Sequence, residues 1–226
     1  MARRPRIAPG GIAYHVMNRG AARRKVFNSD GDYAAFEKAL AQARKLVGMR
    51  VCAYVLMPNH FRLVLWPARE GQLSQFMKWL TLTHSQRWHA CRGCAGSGAL
   101  YQGRFRSFPV RSDEHFLSVC RYVERNPLRA KLVERAEDWK WSSLSRRGQR
   151  AAEAGQLLDD WPVPRPRNWT ANVNEPQTPQ ELEALRLSVK RGRPYGPEPW
   201  AKRTAARLGL AATLRPIGRP KKQAAS

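Results

Sequence analysis

The chain has 226 residues, of which 42% are hydrophobic, and 41 Lys and Arg against 17 Asp and Glu give it a net charge of +24. That length holds one domain with a sizeable extension or two small domains, and eight Trp, seven Phe and six Tyr exclude a wholly disordered chain. Arginine dominates the cations, and guanidinium is the better bidentate ligand for phosphate and guanine edges, so the charge points to nucleic acid as partner.

In chain order, residues 11–18 read as a strand and 30–47 as a helix, with Tyr33, Phe36, Leu40, Leu46 and Val47 at roughly helical spacing. Residues 51–57 and 60–66 are apolar runs separated by Pro58-Asn59, which predicts a β-hairpin. A second helix over 72–90, a glycine-rich loop over 93–98 and an arginine-dense strand over 102–110 follow. The third helix spans 113–133, with Asp113 placed as its N-cap. This order predicts an α+β fold: a ferredoxin-like antiparallel sheet with helices packed on one face.

Charge divides the chain into three predicted parts. Residues 1–150 carry 28 cations and 10 anions and form the folded domain. Residues 151–185 carry 2 cations and 6 anions together with Pro162, Pro164, Pro166, Pro176 and Pro179, which predicts an extended acidic linker. Residues 186–226 carry 11 cations and 1 anion and are expected to be a basic DNA-binding tail, with a short helix over 199–208. No stretch approaches 18 consecutive apolar residues and no apolar signal region follows the basic start, so a cytoplasmic, nucleoid-associated location without membrane contact is expected. Four irregularly spaced cysteines predict reduced thiols.

Chemistry concentrates in two segments. Side chains at i and i+2 of a strand share a face, so His60 and Arg62 project together. Tyr122 and Asn126, at i and i+4, share one face of the third helix. Taken singly, such a histidine is more often a satisfied surface or core group, such a tyrosine a half-buried helix residue, and an Asn before Pro127 a bending or capping element. Arg104, Arg106 and Arg111 interleave with Phe105 and Phe108, a pattern that suits a single-stranded backbone and its unpaired bases. Arg19, Arg23 and Arg24 after the first strand are candidate phosphate ligands.

The run Met57-Pro-Asn-His60-Phe-Arg62 and the run Tyr122-Val-Glu-Arg-Asn126-Pro-Leu-Arg129-Ala closely resemble motifs of the single-tyrosine HUH transposases, in particular the REP-associated tyrosine transposases. Residues 14–20, 101–105 and 138–143 support the resemblance, which extends over nearly the whole chain. It implies a transposase, a DNA strand transferase, that recognises single-stranded hairpin DNA of the REP-element kind. Tyr122 attacks a phosphate to leave a 5′-phosphotyrosine and a free 3′-OH, without a nucleotide cofactor. It further implies a divalent metal, Mg²⁺ or Mn²⁺, held by His60 and by Asn126.

One position departs from the motif: the second histidine of the HUH triplet is Arg62, which has no lone pair for a cation. Three readings stand open at this stage. Arg62 swings aside from a weak metal site, Arg62 replaces the metal as a phosphate clamp, or the chain is a catalytically inactive DNA-binding and regulatory derivative. In the tail, Arg191-Gly-Arg193-Pro resembles an AT-hook core lying in the minor groove of duplex DNA, and the segment around Arg219 resembles a weaker second copy.

Overall fold

Strand β1 (Ala13–Arg19) leads into helix α1 (Asp30–Val47), the hairpin β2 (Arg50–Met57) and β3 (His60–Trp66), helix α2 (Gln72–Cys91) and strand β4 (Arg106–Val110). The computed structural model describes residues 6–148 and 157–215. The strands order as β2-β3-β1-β4 with antiparallel neighbours throughout. This is the ferredoxin-like sheet that the element order predicts. Local chemistry sets the elements: Asp32 accepts from the backbone N–H of Asn28 (2.8 Å) and Ser29 (3.2 Å) at the start of α1, and Gly48 closes that helix at φ 69°.

Alternation sends one set of strand residues, Tyr14, Val16, Tyr54, Leu56, Phe61 and Leu63, against Phe36 and Leu40 of α1 and Phe76 and Leu80 of α2. Each large apolar side chain buried there stabilises the fold by about 1.5–3 kcal/mol relative to exposure. The other face meets α3 (Glu114–Glu124), whose Phe116, Val119, Cys120 and Val123 pack on Ala53, Val55, Val64 and Phe108. Helices α1 and α2 thus share one face as expected, and α3 adds a layer on the opposite one.

Two boundaries differ from the sequence expectation. The strand over 102–110 begins only at Arg106, because Gly103 at φ 145° turns the backbone out of the ladder. The helix over 113–133 ends at Glu124 and resumes as the short α4 (Asn126–Arg129), since Pro127 has no N–H to continue the ladder. Asp113 caps α3 as expected, accepting from the His115 backbone N–H at 2.9 Å.

The described part of the predicted linker and tail is folded onto the domain, which corrects the reading of an extended linker. It contributes α6 (Trp169–Asn174), α7 (Pro179–Arg191) and α8 (Glu198–Arg207), after the short α5 (Ser143–Gly148) that closes the first part. Trp169, Val173 and Leu185 are buried beside α3. The prolines end up at helix starts and turns while the apolar residues between them fill the core, and burial outweighs their extended bias. The end of the first part and this half together pair with both sheet edges. Outside β2, Leu56 N–H donates to Trp141 O (2.9 Å) and the Asp159 and Val51 main chains join (2.9 Å). Outside β4, Tyr195 N–H donates to Pro109 O (2.9 Å) and Arg111 N–H to Tyr195 O (3.0 Å). No helix among the described residues is long and apolar enough to cross a membrane.

Asp159 ties this half to the sheet, taking a bidentate contact from Arg44 (2.7 and 2.8 Å) and the Val51 N–H (2.9 Å), which hold its carboxyl below the usual range against the opposing effect of burial. Asp159→Asn is expected to cost about 1–2 kcal/mol in urea unfolding at pH 7, after allowance for solvent screening. A carboxyl with a depressed folded pKa stabilises above its unfolded pKa of about 3.9 and loses that contribution as pH falls through the folded value. The gap between variant and parent should therefore close in strongly acid solution.

Candidate functional site

The register of β1 on β3 sets Arg19 opposite His60, Met17 opposite Arg62 and His15 opposite Val64, so these side chains line the face that α3 covers. Tyr122 comes down on this face from α3. Its ring lies 6.3 Å from that of His15, edge-on, and the Arg62 Cζ stands 5.1 Å from its centroid. Arg129 of α4 closes on the same ring with its Cζ at 4.3 Å. Tyr122 and the two strand residues singled out by sequence, His60 and Arg62, therefore belong to one sheet face, and Asn126 is buried where α3 passes into α4.

His15 and Arg129 were not singled out by sequence reasoning. Strand alternation would have placed His15 on the face of Arg19, but nothing local tells which face α3 will cover. His15 stacks on Phe108 (centroids 4.7 Å) and its Nε2 accepts from Arg62 Nη1 at a long 3.4 Å.

The electrostatics are one-sided. Arg62 is 6% exposed, and no carboxylate among the described residues pairs with it, with Arg19 or with Arg129. Burial, and then the neighbouring Arg129 and Arg19, lower the Arg62 guanidinium to about 10, with Tyr122 acting in the other direction. Burial first and then Arg62, Arg19 and Arg129 push His60 down to about 3, and burial, Arg62 and His60 hold His15 well below the ordinary histidine range. Both imidazoles are neutral near pH 7. Four buried donor atoms, Arg19 Nε, Arg62 Nε, Arg129 Nη1 and Asn126 Nδ2, have no acceptor, and neither does His60 Nε2 have a partner. Each unsatisfied buried donor costs about 1–3 kcal/mol. What satisfies such a set is an acceptor-rich anion.

A divalent cation does not fit these residues. His60 offers one free ring nitrogen, its Nδ1 being held by Asn59 Oδ1 at 2.8 Å, while guanidinium groups occupy the surroundings. A dication about 4 Å from one guanidinium would meet a repulsion of roughly 8 kcal/mol at an effective dielectric of 20. Asn126 Nδ2 is buried there without an acceptor, so that side chain too lacks an oxygen partner. Among the described residues, the one grouping with cation-ligand spacing is Asp113, Glu114 and His115. There Asp113 already caps α3 and pairs with Arg111 at 2.9 Å.

From Arg19 a basic cleft of about 710 Å³ runs along the β1–β4 edge. The predicted phosphate ligands Arg19, Arg23, Arg104, Arg106 and Arg191 line it, joined by Arg6 and Lys190, which the sequence reading did not single out. Among the described residues no acidic side chain lines it. Arg24 is exposed outside it, Arg111 is spent on Asp113, and Arg193 lies just beyond. The extended AT-hook reading of residues 191–194 is corrected: Arg191 is the last residue of α7, and Gly192 at φ 74° is its left-handed C-cap, donating to Ser188 O at 2.8 Å. A Thr178–Glu181 capping box starts this helix, and Leu185 buries its inner face. Arg219 lies outside the described residues.

A family model described as IS200-like transposase matches residues 10–126, the span from the approach to β1 through the first residue of α4. A solved structure of a REP-associated tyrosine transposase bound to a REP hairpin is 22% identical, with 71% of this chain and 94% of that one covered at a TM-score of 0.49. A transposase-like protein of Deinococcus radiodurans R1 is 17% identical, with 55% of this chain and 95% of that one covered at a TM-score of 0.38. No curated protein matches the chain.

The buried neutral histidines give the fold an acid limit. Below the unfolded histidine pKa of about 6.5 the unfolded chain binds protons that the native sites refuse, so stability falls with pH. Between pH 7 and pH 5 each such histidine should cost about 2 kcal/mol. His15→Gln, which cannot protonate, should lose about that much less over the same interval in urea titrations.

Proposed function

The chain belongs to the IS200-like transposase family, and from that premise we propose that it cuts and rejoins single-stranded DNA beside a hairpin, with Tyr122 as the nucleophile. The observation that carries the reading is the seating of the Tyr122 ring against two guanidinium groups that have no carboxylate partner among the described residues, on the sheet face of His60. A phenol so placed meets a phosphate that those groups attract. Its oxygen forms a bond to phosphorus, the bond from phosphorus to the 3′-oxygen breaks, and the phenolic proton is balanced by one taken up at the leaving 3′-oxygen. The product is a 5′-phosphotyrosine and a free 3′-OH. Because the phosphodiester energy is kept in the covalent link, a 3′-OH from another strand reverses the step and completes transfer.

The cleft supplies the track for the strand. Arg19 joins it to the Tyr122 centre, and Arg104 and Arg106 line its wall. Lys190 and Arg191, at the end of α7, extend the positive surface to DNA adjoining the hairpin. Arg129, half-buried over the ring, is the group that turns from the phenol to the phosphate as the strand enters.

A second reading, binding without cutting, is favoured by one observation: Tyr122 is 3% exposed and Arg62 fills the place of a metal-binding histidine. The two part on a single test. Incubation with end-labelled hairpin DNA bearing single-stranded flanks is expected to yield a covalent protein–DNA adduct that Tyr122→Phe abolishes, with hairpin affinity kept within about threefold. An intact hairpin and no adduct would leave the binding reading in its place. In the same binding assay, Arg104→Ala with Arg106→Ala should flatten the slope of log K against log salt by about 0.7 for each phosphate contact removed.

A further inference from the structure

We propose that the reaction centre works without a metal ion, the guanidinium groups of Arg62 and Arg129 together holding the scissile phosphate. This rests on the reading of Tyr122 as nucleophile. Two guanidinium groups carry the same formal charge as one divalent cation, and they deliver it through directed N–H groups that suit the non-bridging oxygens of a phosphodiester. Both already touch the reacting side chain, at 5.1 Å and 4.3 Å from the centroid of the Tyr122 ring.

Three independent features make Arg62 a working group rather than a lesion. Its Nε, together with Arg129 Nη1 and Asn126 Nδ2, is buried without an acceptor, so the centre is short of oxygen atoms and not of cations. His15 turns its Nε2 toward Arg62 Nη1 and so holds one arm of the fork, while Arg62 Nε is left without an acceptor. No carboxylate among the described residues quenches either guanidinium, whereas Arg44 pairs with Asp159, Arg92 with Asp32 and Arg146 with Glu37. The step needs no co-reactant: the oxygen–phosphorus bond to Tyr122 forms as the bond to the 3′-oxygen breaks, and charge gathering on the non-bridging oxygens falls to the two forks.

The test uses the full chain and a hairpin oligonucleotide with single-stranded flanks, comparing adduct formation in excess EDTA and in Mn²⁺. The proposal expects rates within about twofold of each other. Arg62→Gln and, separately, Arg129→Gln should each lower the rate by about 100-fold in both conditions while hairpin affinity changes by less than about fivefold. Arg129 is half-buried, so its variant reports even if Arg62→Gln fails to fold. An adduct that forms only with Mn²⁺ overturns the metal-free clamp and leaves Tyr122 as nucleophile. Absence of any adduct in either condition overturns the nucleophile reading, and tungstate, a phosphate-shaped oxyanion, then decides the clamp by calorimetry in EDTA. The clamp expects tungstate binding that weakens at least tenfold in Arg129→Gln. No binding, or binding indifferent to that change, overturns it.

Discussion

A buried guanidinium with no carboxylate partner among the described residues is the condition around which this molecule is arranged. Arginine keeps its charge inside a protein, so Arg62, 6% exposed and faced by Arg19 and Arg129, imposes an unmet demand for acceptors on one sheet face. Burial first and then the same field keep the nearby imidazoles neutral, and that field excludes a small dication. It also turns the β1–β4 edge into the start of a cleft without acidic lining, so that the centre and the track leading to it share one sign of charge. Stability given up at such a place is recovered elsewhere in the fold, and the aromatic and aliphatic core between the sheet and helices α1 and α2 is where that recovery occurs.

The C-terminal half makes that tension sustainable by fixing α3. Glu124, fully buried two residues after Tyr122, accepts from Trp169 Nε1 at 2.6 Å and from the Ser143 hydroxyl, and burial raises its carboxyl above the ordinary range. Arg121 donates to the carbonyls of Glu175 (2.9 Å) and Pro176 (3.0 Å), and Arg125 to that of Val173 (2.8 Å). The outer side of α3 is therefore clasped by backbone carbonyls, while its inner side, with Tyr122, faces guanidinium groups that have none.

Much of the framework was legible in the residues. The apolar spacing over 30–47, the Pro58-Asn59 turn and the Asp113 cap fix elements through relations a few residues apart, and the observed ends of α1, β2 and β3 agree with them to within a residue. The pairing of His60 with Arg62 followed from the two-residue period of a strand. The linker and the AT-hook segment were misread because proline content and charge describe an isolated segment. Trp169, Leu185 and Tyr195 fold theirs by entering a core built elsewhere in the chain. Arg6, Lys190 and His15 carried no local mark at all, since a cation or a histidine looks the same in sequence whether it lines a cleft or faces water.

The sequence by itself determined the main strands and helices of the first part, their antiparallel arrangement and the two short segments that bear the chemistry, because these depend on periodicity, capping and turn residues acting over a few positions. Only the tertiary structure decided that Tyr122, Arg62 and Arg129 converge, that His15 stands behind Arg62, and that the basic residues of β4 and α7 meet in one cleft. Convergence of that kind is set by which face a helix covers and which strand lies at an edge. Those are outcomes of long-range packing, in which many weak apolar contacts act together and no single residue announces the result.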